Sequence, residues 1–104
     1  MCLSTKSKAC NDIVNFIEQN IKIFSKFKRV YLFGSVIKLE SYPKDIDLLL
    51  VYTSYLPEIN NDMKIISCVL FEEFEIPIDL TVLSEKELKQ TKFMRKINNY
   101  FRIK

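Results

Sequence analysis

Three short runs of β-branched, aliphatic and aromatic residues alternate along this chain with segments of helical periodicity. The runs are Arg29–Phe33, Ile46–Tyr52 and 76–83. Such alternation is typical of an α/β fold, in which helices cover a sheet. The middle run is apolar almost throughout, as in a strand that is buried on both faces. The pattern predicts the element order α-β-α-β-α-β-α, with helices backing a short mixed sheet of at least three strands.

Four segments are predicted to be helical. Residues 5–27 place Ile13, Ile17 and Ile21 on one stripe. A short helix over 35–40, capped by Ser35, is expected after the first strand. Residues 57–75 begin with a proline, which suits a first helical turn, and residues 84–101 begin with the capping-box pattern Ser84-x-x-Glu87. The residues expected to face the core from the last two helices are Met63, Ile66, Leu70, Phe74, Phe93, Met94, Ile97 and Phe101.

Length and composition limit the available chemistry. With 104 residues, the chain is expected to form one domain over residues 1–104. It contains no histidine, which excludes Ser-His-Asp triads, Cys-His pairs and imidazole zinc sites. It contains one glycine, which excludes a Walker loop and a G-x-G-x-x-G turn. Any catalysis must therefore use carboxylates, hydroxyls, amines and backbone groups.

The cysteines and apolar runs predict a cytoplasmic protein. Cys2, Cys10 and Cys68 are odd in number and lack C-x-x-C spacing, so they are expected to be free thiols in a reducing compartment. No apolar run approaches the roughly 20 residues of a membrane span. The first ten residues are polar, so neither a signal peptide nor a membrane association is expected.

Charge is unevenly distributed. Residues 84–104 carry seven basic and two acidic residues, a net charge of +5, whereas residues 1–83 carry a net charge of −2. A basic last helix is compatible with binding nucleic acid or an acidic partner. A solvated helix face explains the same pattern, and it is the interpretation we favour. Nucleic-acid binding through this helix therefore stays open without being preferred.

Three aspartates stand in or beside apolar strands. Asp45 and Asp47 flank Ile46 at the start of the second strand, and Asp79 lies inside the third. Because strand side chains alternate between faces, Asp45 and Asp47 are expected to point the same way. If the third strand lies beside the second, Asp79 joins them, and a divalent cation would relieve the repulsion. Oxygen ligands suit Mg²⁺ or Mn²⁺. The alternative is structural: Asp45 follows a turn, and Asp79 pairs with a lysine.

The lone glycine, Gly34, supplies a complementary feature. It ends the first strand and is followed by Ser35 at the expected start of a short helix. A glycine lets the backbone approach a ligand closely, and free N–H groups at a helix start attract anions. The Ser35 hydroxyl adds a donor. An anion cradle beside an acid cluster fits a nucleoside triphosphate carried with its metal.

These residues together resemble a known signature. The run Leu32-Phe33-Gly34-Ser35, followed after nine residues by Asp45-Ile46-Asp47, is similar to that of the polymerase-β-like nucleotidyltransferase superfamily. The resemblance covers about residues 28–83. The small size looks most like the minimal nucleotidyltransferases, which include the antitoxin partners of HEPN-domain toxins.

The resemblance implies a role for each matching residue. Gly34 and Ser35 would hold the triphosphate, and Asp45 and Asp47 would bind one or two Mg²⁺ ions. Asp79 would help to hold the second metal and act as general base toward the attacking hydroxyl. Many minimal members have an Arg-Gly pair shortly after Gly-Ser and a serine directly before the first aspartate. Here those regions read Lys38-Leu39 and Lys44, and either lysine is a candidate phosphate-binding cation.

The resemblance implies a magnesium- or manganese-dependent transfer of a nucleoside monophosphate, with AMP from ATP as the expected case, to a hydroxyl acceptor. The small chain leaves the site open, so a partner protein or a second copy is expected to cover it. A tyrosine of a HEPN-like toxin is the first candidate acceptor. Two alternatives are a catalytically inactive binding antitoxin or accessory module, and a small-molecule (antibiotic-type) nucleotidyltransferase completed by a dimer.

Overall fold

A four-stranded mixed sheet forms the centre of the molecule. The computed structural model describes residues 8–37, 43–97 and 99–104. The strands are β1 (Arg29–Phe33), β2 (Ile46–Tyr52), β3 (Ile78–Ser84) and β4 (Tyr100–Arg102), in the order β3-β2-β1-β4. β2 and β3 are parallel, whereas β1 is antiparallel to both β2 and β4. The predicted α/β class and mixed sheet are confirmed.

Four helices of the described residues accompany the sheet. They are α1 (Lys8–Gln19), α2 (Glu58–Phe74), α3 (Glu85–Thr91) and α4 (Phe93–Ile97). Two 3-10 turns, Ile21–Phe24 and Gly34–Ile37, lie on either side of β1. No helix among the described residues has both the length and the apolar character needed to cross a membrane.

The two faces of the sheet are covered unequally. One face packs against α1 and α2 and forms the main core, which includes Ile13, Phe24, Leu32, Leu48 and Ile66. The other face carries a small cluster formed by Tyr31, Leu49, Val51 and Leu88, with Phe33, Leu83, Phe93 and Met94 packed against it. Helix α4 contributes no buried residue. The second face is therefore thinly covered by the described residues.

The central position of β2 explains its composition. Its residues from Leu48 to Val51 are all buried, because it has a strand on each side and helices above and below. β3, in contrast, contains no fully buried residue, and it is less apolar, since Asp79, Thr81 and Ser84 are among its seven residues. β3 begins two residues later than predicted, after Pro77, whose carbonyl accepts a hydrogen bond from Ile46 N at 2.9 Å.

The predicted continuous helix over 84–101 is wrong in two places: it is interrupted at Lys92, between α3 and α4, and residues Tyr100–Arg102 form β4 instead. The Ser84 capping box is present, with Glu87 N donating to Ser84 Oγ at 3.0 Å and Ser84 N donating to Glu87 Oε1 at 2.9 Å. α3 then ends at Thr91, and its C-cap residue, Lys92, has a left-handed φ of 53°. After α4 the chain becomes β4, where Phe101 pairs with Leu32 and packs against the main core. Pairing with the edge of β1 prevails over helix continuation.

Two further predictions need correction. The first helix ends at Gln19, because Asn20 leaves helical geometry (φ −112°, ψ 27°) and its Nδ2 donates to Phe16 O at 2.8 Å. The segment after β1 is a 3-10 turn that begins at Gly34 rather than at Ser35. Residues 5–7 and 38–40 of the two predicted helices lie outside the described residues.

The helix predicted over 57–75 is confirmed as α2, with Ile66 and Leu70 buried and Met63 and Phe74 packed against the core. Ile59, which was not among the expected core residues, is also buried by α2. Cys10 is buried and Cys68 exposed, and the two are not bonded to each other, as expected. Cys2 lies outside the described residues.

Candidate active site

The mixed sheet brings the end of one strand and the starts of two others to the same edge. β1 ends at Phe33, which is the register partner of Asp47 on β2, and Asp47 is the register partner of Asp79 on β3. Register partners on neighbouring strands point to the same face. Asp47 and Asp79 therefore lie side by side on the thinly covered face, as the sequence predicted on condition that β3 pairs with β2.

Gly34 continues directly from β1 and packs against the Asp47 carboxylate. Its φ is 82°, in the left-handed region. A β-carbon at this position would overlap Asp47 Oδ2 and lie 3.1 Å from Asp47 Cγ. Only glycine combines this backbone geometry with space for the carboxylate. The close packing of Gly34 on Asp47 is a feature that sequence analysis missed, since the glycine was interpreted only as a place for a ligand to approach.

The surroundings of Asp47 favour its protonated form. Partial burial, the charges of Asp79 and Asp45, and a side-chain hydrogen bond with Asp79 together raise the pKa of Asp47 from 3.8 to about 6. Burial is the largest cause, because removing a carboxylate from water penalises its charged form. Asp79 and Asp45 thus each act on Asp47. Asp47 is the half-buried centre of the group, whereas Asp45 and Asp79 are exposed.

The three aspartates suit a hard divalent cation by their chemistry. Carboxylate oxygens are preferred ligands of Mg²⁺ and Mn²⁺, and the mutual repulsion at Asp47 is what such a cation would offset. Within residues 8–37, 43–97 and 99–104, however, no three acidic or thiol side chains stand at the spacing of a formed metal site. The three carboxylates would have to rearrange to hold a cation. The donor set fits the metal, and the acids are not already arranged as ligands.

The remaining predicted residues are placed less completely. The Ser35 backbone belongs to the turn Gly34–Ile37, and its side chain lies outside what the structure describes. Lys44 is exposed directly before Asp45. Lys38 lies outside the described residues. Because the turn after Gly34 has four residues, a helix dipole contributes little here, and any anion cradle would depend on the local backbone N–H groups.

An aromatic pair adjoins the acids on the same face. Phe33, the register partner of Asp47, contacts Phe93 of α4 edge-to-face, with ring centroids 5.7 Å apart. Sequence analysis assigned Phe93 to the core and did not connect it with the acids. The contact places α4 next to the acid-bearing edge of the sheet. The basic residues Arg95 and Lys96, in the last turn of α4, belong to the same element.

Comparison with known proteins establishes the fold. No protein-family model matches the chain, and no curated protein matches it. A crystal structure of the toxin–antitoxin pair MntA–HpeT contains a chain that superposes with a TM-score of 0.54 at 16% identity, covering 91% of this chain and 72% of that one. That structure is of a mutant with two Asp-to-Glu substitutions two residues apart. The likeness shows that this chain shares the fold of the matched chain, a small α/β domain with a mixed sheet.

Proposed function

We propose that this chain is a nucleotidyltransferase that transfers AMP from magnesium- or manganese-bound ATP to a hydroxyl group of a partner protein. The observation that carries the proposal is the register pairing of Asp47 with Asp79, next to Gly34 at the end of β1. At this end of the strands, a pair of acidic side chains lies beside a sharply turned backbone. Such a combination suits a triphosphate and its metal better than it suits a purely structural role, because structural acids are usually paired with cations.

Each residue has a distinct task in this reaction. Asp45 and Asp47 would hold the cation, with Asp79 joining them, and the bound cation would supply charge neutralisation for the triphosphate. The turn at Gly34 and Ser35 and the exposed Lys44 would hold the phosphates. Asp79 accepts the proton of the attacking hydroxyl, whose oxygen bonds to the α-phosphorus. The bond from that phosphorus to the leaving pyrophosphate breaks.

The acceptor is proposed to be a tyrosine of a partner toxin of the HEPN type. The fold neighbour MntA is half of a toxin–antitoxin pair, which supports a protein partner. Exposure of Asp79 on the thinly covered face supports an acceptor that approaches from outside the chain. A second copy of the chain is the alternative way to cover the same face.

Labelling with two forms of ATP, which differ in the position of the label, tests the reaction. The purified chain is incubated with Mg²⁺ and with a lysate of the source organism, using ATP labelled at the α- or the γ-phosphate. Transfer of AMP puts label on one protein band from α-labelled ATP and none from γ-labelled ATP. The Asp47→Asn variant should lose the label, whereas Glu73→Gln, at an exposed acid of α2, should keep it. Label from γ-labelled ATP would identify a kinase and contradict the proposal.

One observation favours a second candidate, a binding antitoxin without turnover. The acids of the described chain do not stand at metal-ligand spacing, so the partner could be inhibited by occupancy alone. In a growth assay with the partner toxin, neutralisation that survives both Asp45→Asn and Asp47→Asn would support this candidate. Neutralisation lost in both variants, with protein levels unchanged, would support the enzyme.

A further inference from the structure

β3 has an open edge beside the candidate active site. In the sheet of the described residues, β3 is the outermost strand next to β2, and no strand of that part of the chain pairs with its other side. Its aliphatic side chains Ile78, Leu80, Val82 and Leu83 are all left half-exposed. An apolar strand with an unpaired edge is a template for adding another strand.

A shallow groove, open to solvent, lies between α2 and Leu80 of β3 on the helix side of the sheet. It has a volume of about 500 Å³ and is lined by Met63, Lys64, Ser67, Cys68 and Leu80. Two large apolar side chains of the same helix also remain in solvent: Ile65 is 40% exposed and Phe71 is 51% exposed. The edge therefore adjoins a site that can accept a side chain from an added strand.

Because side chains alternate along β3, Asp79 and the groove lie on opposite faces of the sheet, both beside the open edge of this strand. Asp79 points to the face of Asp47, whereas its neighbours Ile78 and Leu80 pack toward the main core, and Leu80 lines the groove. A strand added to β3 would show the same alternation. A residue paired with Asp79 would lie on the acid face, and the next residue along would face the groove.

Charge indicates the chemistry of the added strand. Glu75 is exposed just before β3, and the exposed Glu72 accepts a hydrogen bond at 3.5 Å from the thiol of Cys68, which lines the groove. These two acids and Asp79 lie before or within β3, although the charged residue in the groove lining itself is Lys64. The edge is therefore complementary to a segment that carries basic residues.

Resting on the proposed function, we infer that the hydroxyl acceptor belongs to an extended, basic segment of the partner protein that adds to the edge of β3. Its hydroxyl residue pairs with Asp79, and an adjacent apolar residue enters the groove lined by Leu80 and Cys68. Side chains on paired strands have β-carbons about 4.5–5.5 Å apart, which brings the hydroxyl residue next to the carboxylate that accepts its proton. The acceptor segment is recognised through backbone hydrogen bonds to β3 and through the alternation of its side chains between the two faces of the sheet.

A pair of synthetic peptides tests the alternation. The first is a lysine-flanked, fluorescein-labelled nonamer with a central leucine–tyrosine–leucine sequence. The second, shifted peptide has the same composition with one lysine between the tyrosine and each leucine, which puts tyrosine and leucines on the same face of a strand. Binding is measured by fluorescence anisotropy without nucleotide or metal, and transfer is measured with α-labelled ATP. We expect the shifted peptide to lose at least tenfold in transfer. Equal transfer to both peptides, or no binding of either, would overturn the inference.

Backbone pairing is tested by N-methylation of the first peptide. One set of alternate amides would donate to β3, and the other would face solvent. We expect methylation of one set to weaken binding by at least tenfold and methylation of the other by less than twofold. If both methylated peptides bind as well as the parent, the peptide does not bind as a strand, and the inference fails.

A matched pair of variants locates the bound peptide. Cys68→Trp fills the groove from an exposed position, and Glu73→Trp puts the same side chain on another exposed part of α2. Only Cys68→Trp should weaken binding, by at least tenfold. Equal binding of the peptide to both variants would overturn the inference. A wild-type dimer that dissociates when Cys68 is replaced by Trp would also overturn it, because a second copy of the chain would then occupy the groove.

The experiments also separate this inference from the proposed function. Peptide binding without AMP transfer would contradict the proposed enzymatic activity and leave the strand addition standing. AMP transfer to the partner protein without peptide binding would contradict the strand addition and leave the enzymatic activity standing.

Discussion

Gly34 and Asp47 fit together as a pair: the space that a side chain at residue 34 would occupy is filled by the Asp47 carboxylate. A β-carbon there would lie 3.1 Å from Asp47 Cγ and 3.3 Å from Asp47 Cβ. The pair joins the turn after β1 to the first residues of β2. Any nucleotide held by that turn would therefore be held next to the central acid.

Gly34→Ala is expected to destabilise the fold and to disturb the site at once. The left-handed backbone at φ 82° costs a non-glycine residue about 1–2 kcal/mol, and displacement of the Asp47 side chain adds to that cost. Urea denaturation should show the loss, and isothermal titration should show weaker binding of Mg-ATP. Ser54→Ala, in an exposed bend, serves as the control. Stability within about 0.5 kcal/mol of wild type, which is usual for surface substitutions, would contradict the packing described.

Asp47→Asn is expected to abolish transfer and to stabilise the metal-free protein above pH 6. The fold raises the pKa of Asp47 from 3.8 to about 6. The unfolded chain therefore releases this proton more readily, so that ionisation lowers the stability of the fold as pH rises from about 4 to 6. Below pH 4 the carboxyl is protonated in both states and the penalty disappears.

The expected gain for Asp47→Asn is about 1 kcal/mol at pH 8, because solvent screening at this half-buried site reduces the roughly 3 kcal/mol that the full shift represents. Urea denaturation of both proteins at pH 8 and at pH 4 measures it. The difference should shrink toward zero at pH 4. A variant that is less stable than wild type at pH 8, or a difference independent of pH, would contradict the prediction.

Magnesium is expected to stabilise the wild-type protein in a pH-dependent way. A cation that binds the folded state at ten times its Kd contributes about 1.4 kcal/mol, or roughly 6–11 °C in Tm for a chain of this size. The rise should be present at pH 7.5 and lost at pH 5, where Asp47 is protonated. Thermal denaturation with Mg²⁺ and then with excess EDTA checks this. Glu73→Gln should respond like wild type and Asp47→Asn should not, and an equal response of the two variants would exclude Asp47 as a ligand.

Lys92→Gly is expected to stabilise the junction of α3 and α4. Lys92 ends α3 with a φ of 53°, a conformation that glycine adopts without strain. The expected gain is about 0.5–1 kcal/mol. Lys89→Gly, which lies inside α3, is the matched substitution and should cost about 1 kcal/mol. If both substitutions destabilise equally, the helix is not interrupted at Lys92, and the continuous helix predicted from the sequence would be restored.

Local patterns predicted the elements best where one interaction decides the structure. β2 follows from its apolar run, the start of α3 from the Ser84 capping box, and the first helical turn of α2 from Pro57. The prediction of the last helix was wrong at its end because residues 100–103 also alternate in polarity, and the edge of β1 offers them hydrogen bonds. No local pattern reveals that a distant edge is open.

The sequence was enough to predict which residues form the candidate site, but not how those residues contact one another. The spacing of Gly34, Asp47 and Asp79 brought these residues together in the prediction, because strand ends can be located from sequence. The packing of Gly34 on Asp47 could not be foreseen, since it depends on the antiparallel register of β1 and β2. The raised pKa of Asp47 depends in turn on the parallel register that places Asp79 beside it.

The unequal covering of the sheet implies two cooperative units of different stability. α1 and α2 share the main core, whereas α3 and α4 rest on a small cluster in which Leu88 is the one buried helical residue described. Segments with few buried contacts open at a lower free energy than the whole domain. Amide hydrogens of α3 and α4 would then exchange by subglobal opening while those of β2 exchange only on global unfolding. The acids lie at the boundary between the two units, where the protein can rearrange around a ligand without unfolding.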